Sequence, residues 1–329
     1  MTPPPRYHQV ADGVWRAAVP LPSSLASVNA YLLANAGEAF LVDTAFVPGQ
    51  SWEHIPQLMR AASVDPAQLR GLVLTHAHLD HVGHVRALED WLGLPGHLHP
   101  DEQLTSAWAA LENRALFQDW LAEQGVDSAT ATRLLVVLDR GREPLPRHTQ
   151  RVAHGQILRV GTAVWTVLHT PGHTPGHICL FRENDGILIT GDHLLPNDSP
   201  NISVRPGQPY NPLSRYLAAL RMIGELPVRL ALPGHGEPIR DIGALLSRRI
   251  GHHDQRLADV KALVGQTALS AFQVALGIRW VHRSKHFSEL EPRHQFLALG
   301  ETLAHLVALE AHGTLKRTRS ASTTLWTHH

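Results

Sequence analysis

Residues Thr75 to His84 read THAHLDHVGH and hold four histidines and one aspartate in ten positions. The chain has 24 histidines in 329 residues, so the number alone decides nothing and the spacing must. On an extended segment, side chains two apart point the same way, so His76 and His78 can grip one ion. Asp80 and His81 follow at an expected helix start and face a neighbouring point, which suits two ions rather than one. Three single residues complete the set: His173 in TPGHTPGH, Asp192 in ITGDH and His235 in LPGHG. Neighbouring glycines let the backbone turn sharply and approach closely. Five imidazoles and two carboxylates suit borderline divalent metals such as Zn²⁺, and no thiolate is required.

These groups need elements to carry them. VWRAAV, NAYLLAN and EAFLVDT are short apolar runs divided by turn residues and predict a meander of strands. GLVLT (71–75) predicts a buried strand leading into the histidine cluster, and VRALEDWLG predicts a helix stopping at Gly93. The cluster therefore belongs at a strand's C-terminal end, where layered α/β folds place ligand sites. QILRV, AVWTVLHT, HICLFRE and GILITGD predict a second sheet. His173, Asp192 and His235 each closely follow such a run, VRLALPG preceding the last.

Residues 101–140 differ. They predict an amphipathic helical insertion, with Leu104, Trp108, Leu111, Leu116 and Trp120 as apolar positions that roof a site, line an acyl pocket, or pack on the sheets. Beyond Asp241 three helices are expected: one through about Val264, one over TALSAFQVALG with Thr267 as N-cap, and one from Pro292 to Gly313. GTLKRT then reads as a turn and strand. Helices plus a terminal hairpin resemble a winged-helix module over 241–320, followed by a tail at 321–329.

Taken together, His76-x-His78-x-Asp80-His81 with His173, Asp192 and His235 resembles the metallo-β-lactamase superfamily over roughly residues 8–240, all seven positions being filled in the family's chain order. The resemblance implies a four-layer αββα sandwich. It implies that His76, His78 and His173 hold one ion, that Asp80, His81 and His235 hold a second, and that Asp192 bridges them. It further implies that Asp43 supports the site from behind, orienting a ligand histidine. Two such ions would ionise a shared water near neutral pH and steady the developing oxyanion, with Asp80 and Asp192 as the catalytic carboxylates. Zn²⁺ is the metal expected first, and Fe or Mn suits the same donors. The C-terminal part resembles the extension of the β-lactamase-like endoribonuclease group and its bacterial relatives. N-acyl homoserine lactonases in the superfamily carry a Tyr soon after the bridging Asp; here the residues are His193, Leu194 and Leu195, which weakens that match. His84 stands where relatives often have Gly. The roles of His84, His193 and Tyr210 stay open.

The expected reaction is hydrolysis of a small ester, thioester or lactone; an endoribonuclease or phosphodiesterase holding RNA on its C-terminal module is the alternative. Lys plus Arg equals Asp plus Glu at 29 each, so bulk charge draws the chain to neither nucleic acid nor an anionic membrane. Residues 241–329 carry an excess of four positive charges, and a solvated face explains so small an excess better than RNA binding. No apolar run approaches the roughly 20 residues of a membrane span. The start MTPPPRYHQV has no apolar signal region, and a lone Cys179 suits a reducing compartment. A cytoplasmic protein acting on a small molecule is expected, with a homodimer open.

Overall fold

A computed structural model describes residues 3–21, 25–108, 114–135, 145–207, 210–265, 267–280 and 284–329. It divides into two compact units. The first comprises Met1–Ala107, Glu143–Pro200 and Ala219–Leu246; the second comprises Trp108–Arg142, Asn201–Ala218 and Ser247–His329.

The first unit holds two sheets. One has seven strands in sequence order: β1 (Arg6–Ala11), β2 (Val14–Pro20), β3 (Ser27–Asn35), β4 (Glu38–Val42), β5 (Leu69–Val73), β6 (Gly96–Leu98) and β7 (Thr149–Arg151). The first four pair antiparallel, and β4 to β7 pair parallel. The other runs β12-β11-β10-β9-β8, built from β8 (Ile157–Val160), β9 (Ala163–His169), β10 (Ile178–Arg182), β11 (Ile187–Gly191) and β12 (Leu230–Pro233). Alternation along β3, β4 and β9 sends Tyr31, Leu33, Phe40, Trp165 and Val167 into one core shared by the two sheets. On the far side of the first sheet, Leu32, Leu41 and Leu72 pack with α1 (His54–Ala61) and α3 (Val85–Leu92) through Ile55, Leu58 and Leu88. β10, β11 and β12 are buried throughout and so covered on both faces, whereas β8 alternates between buried and exposed residues. These mixed sheets with helices agree with the α/β class expected.

The helix after β5 is interrupted. A four-residue α2 (Leu79–Val82) ends at Gly83, and α3 starts after His84 and closes on Gly93 in the left-handed conformation. A Cβ on Gly83 would lie 2.2 Å from the Phe46 ring, so only glycine lets this junction pass so close.

The second unit contains α5 (Arg114–Glu123), α6 (Ser128–Leu134), the first half of α7 (Pro212–Gly224), most of α8 (Ile242–Val264), α9 (Ala271–Gly277) and α10 (Pro292–Ala311). A three-stranded sheet joins them, ordered β13 (Leu269–Ser270), β15 (Thr323–His328), β14 (Leu315–Ser320). Residues 321–329, expected as a tail, thus supply β15. The expected N-cap Thr267 is replaced by Ser270, whose hydroxyl accepts from the Gln273 N–H while the Gln273 side chain accepts from the Ser270 N–H. Phe117, Trp120 and Leu121 pack in this unit's own core, both rings 5.9 Å from Phe296. Of these, Trp120 is a position the sequence singled out, and helices of the same unit supply its apolar surface. Leu116 is exposed, and Leu111 lies outside the described residues.

Candidate metal centre

β4 and β5 are parallel, as are β11 and β12, and β9 runs parallel to β11 because both pair antiparallel with β10. Asp43, His76, His173, Asp192 and His235 therefore all follow C-terminal strand ends. The two edges are tied together: Ile178 N–H donates to the Thr75 carbonyl at 2.9 Å, and Asn29 N–H donates to the Gly234 carbonyl at 2.8 Å.

All seven histidine and aspartate side chains singled out in the sequence meet there, in three overlapping groups. These are His76, His78 and His173; His76, His81 and Asp192; and Asp80, His81 and His235. In the first, His78 Nδ1 lies 3.1 Å from His76 Nε2 and 3.0 Å from His173 Nε2. Nitrogens around one tetrahedral Zn²⁺ would stand about 3.3 Å apart, given Zn–N bonds near 2.0–2.1 Å. In the last, His235 Nε2 lies 3.2 Å from Asp80 Oδ2, and His81 Nε2 lies 3.9 Å from that same oxygen. Asp192 sits between the groups: Oδ1 is 3.4 Å from His81 Nε2, while Oδ2 is 3.5 Å from His235 Nε2 and 3.6 Å from His173 Nε2. Gly234 permits the approach, since a Cβ there would lie 2.5 Å from Asp192 Oδ1.

The supports behind these groups set their tautomers. Asp43 accepts from Thr75 N–H at 2.8 Å and from the Thr75 hydroxyl at 2.7 Å, and its Oδ2 lies 2.8 Å from His81 Nδ1. His235 Nδ1 lies 2.9 Å from the Ser27 carbonyl. A carboxylate or carbonyl holding Nδ1–H leaves the Nε2 atom of each ring facing inward. His81 Nε2 and Asp192 Oδ1 are buried and make no hydrogen bond, so each is a potential metal ligand turned toward the cluster.

Charge tells the same story. Burial opposes a proton on His81, yet Asp192, Asp80 and Asp43 outweigh it and hold the ring well above its ordinary value. Burial likewise opposes charge on His235, while Asp192 and Asp80 lift it to about 10. Burial works against ionised Asp80 and Asp192, but the adjacent imidazoles of His81 and His235 keep both carboxyls low. His76 is driven well below its usual value, and His78 to about 3, by burial and neighbouring imidazoles. Neutral rings on one side and proton-holding rings on the other make a place for positive charge. The residues present fit two divalent ions.

Three supports were invisible in the sequence: Thr75, Glu102 and His177. His177, the second histidine of TPGHTPGH, is wholly buried; its Nε2 accepts from the Asp192 N–H at 3.1 Å, and Thr170 Oγ1 lies 2.9 Å from its Nδ1. The open residues fall elsewhere. His84 is buried against the Phe46 and His54 rings, His193 is buried 5.9 Å from the His177 ring, and Tyr210 lies in the second unit beneath the Arg215 guanidinium.

The sequence profile of the metallo-beta-lactamase superfamily matches residues 24–235. The chain is 29% identical over 300 residues to the probable metallo-hydrolase YqjP of Bacillus subtilis, covering 89% of this chain and 91% of that protein. The crystal structure of a beta-lactamase domain protein from Burkholderia ambifaria superposes with a TM-score of 0.81 at 28% identity, covering 98% of this chain and 94% of the other. Over a shorter stretch of 105 residues this chain is 30% identical to an atrochrysone carboxyl ACP thioesterase of Aspergillus fumigatus, covering 32% of this chain and 23% of that protein.

Proposed function

The chain belongs to the metallo-beta-lactamase superfamily of metal-dependent hydrolases, and we propose that it cleaves a small ester, thioester or lactone at a two-metal site. The observation that carries this reading is the convergence of the seven side chains into overlapping groups joined by Asp192. His76, His78 and His173 would hold one ion, Asp80, His81 and His235 the other, and Asp192 would touch both. Zn²⁺ is the first choice, Fe or Mn the next. When bound, two such ions supply a water ionised near neutral pH and a Lewis acid for the substrate oxygen.

The chain's own residues supply the rest. Asp43 and the Ser27 carbonyl fix the tautomers of His81 and His235. Asp80, with its side chain 37% exposed against 10% for Asp192, is the central carboxylate open enough to pass a proton to a leaving group. The likeness to an acyl-carrier thioesterase supports an acyl substrate.

Residues 1–240 serve in this reading as the catalytic part. The segment from 241, with its helices and β14-β15 hairpin, serves as a winged-helix-like module. Its small positive excess favours a packing role over RNA binding. Among the described residues no helix is long and apolar enough to cross a membrane. The single buried Cys179 supports a cytoplasmic setting, and self-association as a homodimer fits the same reading.

The test pairs elemental analysis of the purified protein with thioester, lactone, ester, β-lactam and RNA substrates. The expected result is two ions per chain and salt-insensitive hydrolysis of an acyl substrate, abolished in Asp192→Ala and His235→Ala with the fold kept. RNA cleavage that requires residues 241–329, or full activity in either variant, would overturn it.

A further inference from the structure

We propose that Glu102 is a positioning residue that clamps together the two loops presenting His76, His78 and His173; this rests on the two-metal reading above. Glu102 opens α4 (Glu102–Trp108) and is wholly buried. Its Oε2 accepts the Ala77 N–H at 2.7 Å, and Ala77 is the residue between His76 and His78. Its Oε1 accepts the Gly176 N–H at 2.8 Å and the Thr174 hydroxyl, and Thr174 directly follows His173. One carboxylate thus joins two loops far apart in the chain, one oxygen to each.

The arrangement needs a carboxylate. Burial pushes its carboxyl up to about 7, and the hydrogen bonds from Thr174, Ala77 and Gly176 hold that rise in check. A glutamine of the same shape has one acceptor oxygen, so its NH₂ would face either the Ala77 N–H or the Thr174 and Gly176 donors, and one loop would be released. Gly176 admits the clamp, because a Cβ there would lie 2.7 Å from the Glu102 backbone nitrogen. Glu102 bonds neither to His235 nor to the loop that carries it. The consequence of losing the clamp should therefore fall on the three-histidine group, whose ligand nitrogens stand 3.0 and 3.1 Å apart only while both loops keep their register.

The experiment measures Zn²⁺ affinity by chelator competition in two single-site backgrounds, with circular dichroism to verify folding. In the His235→Ala background, which isolates the three-histidine site, Glu102→Gln should weaken Zn²⁺ binding about 10- to 100-fold, the usual size for loss of a ligand's support. In the His173→Ala background the same change should leave affinity unaltered. Should Glu102→Gln fail to fold, Thr174→Val removes a single donor and should weaken the first site selectively. Equal losses in both backgrounds, or none in the first, would overturn the clamp. A wild-type chain that takes up no Zn²⁺ sinks the two-metal reading itself, a separate result read before any variant is compared.

Discussion

Asp43 shows how one residue behind a site sets what the site can do. Its backbone φ is +58°, a left-handed conformation that Asn also accepts, so Asp43→Asn leaves the chain path intact. The variant keeps an oxygen for Thr75 N–H but places NH₂ where Oδ2 faced His81 Nδ1. The His81 ring must then turn its Nδ1 lone pair outward to the amide, which moves its proton to Nε2. That nitrogen is the one facing Asp192. We expect metal affinity at the Asp80, His81 and His235 group to fall about 10- to 100-fold while the thermal midpoint of the metal-free protein barely moves; unchanged affinity in chelator competition would contradict the tautomer argument. The seven clustered residues were readable from sequence because few side-chain types ligate such metals and their spacing is unusual. Thr75, Glu102 and His177 were not, since a hydrogen bond to a loop can come from many residue types at any distance along the chain.

At the scale of elements, β10 carries its residues buried on both faces, which makes Cys179 chemically silent. Burial pushes its thiol up to about 12, Thr170 Oγ1 lies 3.3 Å away and lowers it only slightly, and the Thr190 carbonyl stands 3.6 Å from Sγ. The thiolate is the reactive form, and at about pH 8 its fraction would be near one in ten thousand. A disulfide reagent such as dithionitrobenzoate should titrate no thiol in the native protein and one per chain in denaturant; rapid native labelling would show that β10 opens. Continuous apolar runs such as ICLFR and ILITG were legible as strands because burial on both faces leaves no other pattern, and QILRV because its residues alternate between exposed and buried. β6 and β7 have three residues each and too little sequence to signal. The start of α9 shifted from Thr267 to Ser270 because the reciprocal bonds with Gln273 outcompete an isolated threonine.

On the scale of the whole molecule, the second unit is assembled from three separate stretches of chain, which a linear division of the sequence at residue 241 does not anticipate. Helical periodicity announces that α5 and α6 are amphipathic but not which apolar surface receives them. That core carries two buried histidines. His253 Nδ1 lies 3.2 Å from His305 Nε2, and His305 Nδ1 lies 2.8 Å from the Glu301 carbonyl. Burial drives His305 down to about 3 and His253 well below its usual value, with Arg256 and His252 adding repulsion to both. Each ring is therefore neutral in the folded protein and takes up a proton on unfolding once pH drops below about 6.5, so stability must fall as the solution is acidified from there toward about 3. The buried Glu301 carboxyl, raised by burial, acts in the opposite direction, but only as pH nears the carboxylate range. For His305 alone the loss by about pH 5 is roughly 2 kcal/mol, several degrees in the thermal midpoint. Melting curves from neutral pH down to about pH 5 should show a steeper fall for the wild type than for His305→Gln, whose amide can still accept from His253 without titrating. Parallel curves for the two proteins would mean that this pair does not govern the acid sensitivity of the second unit.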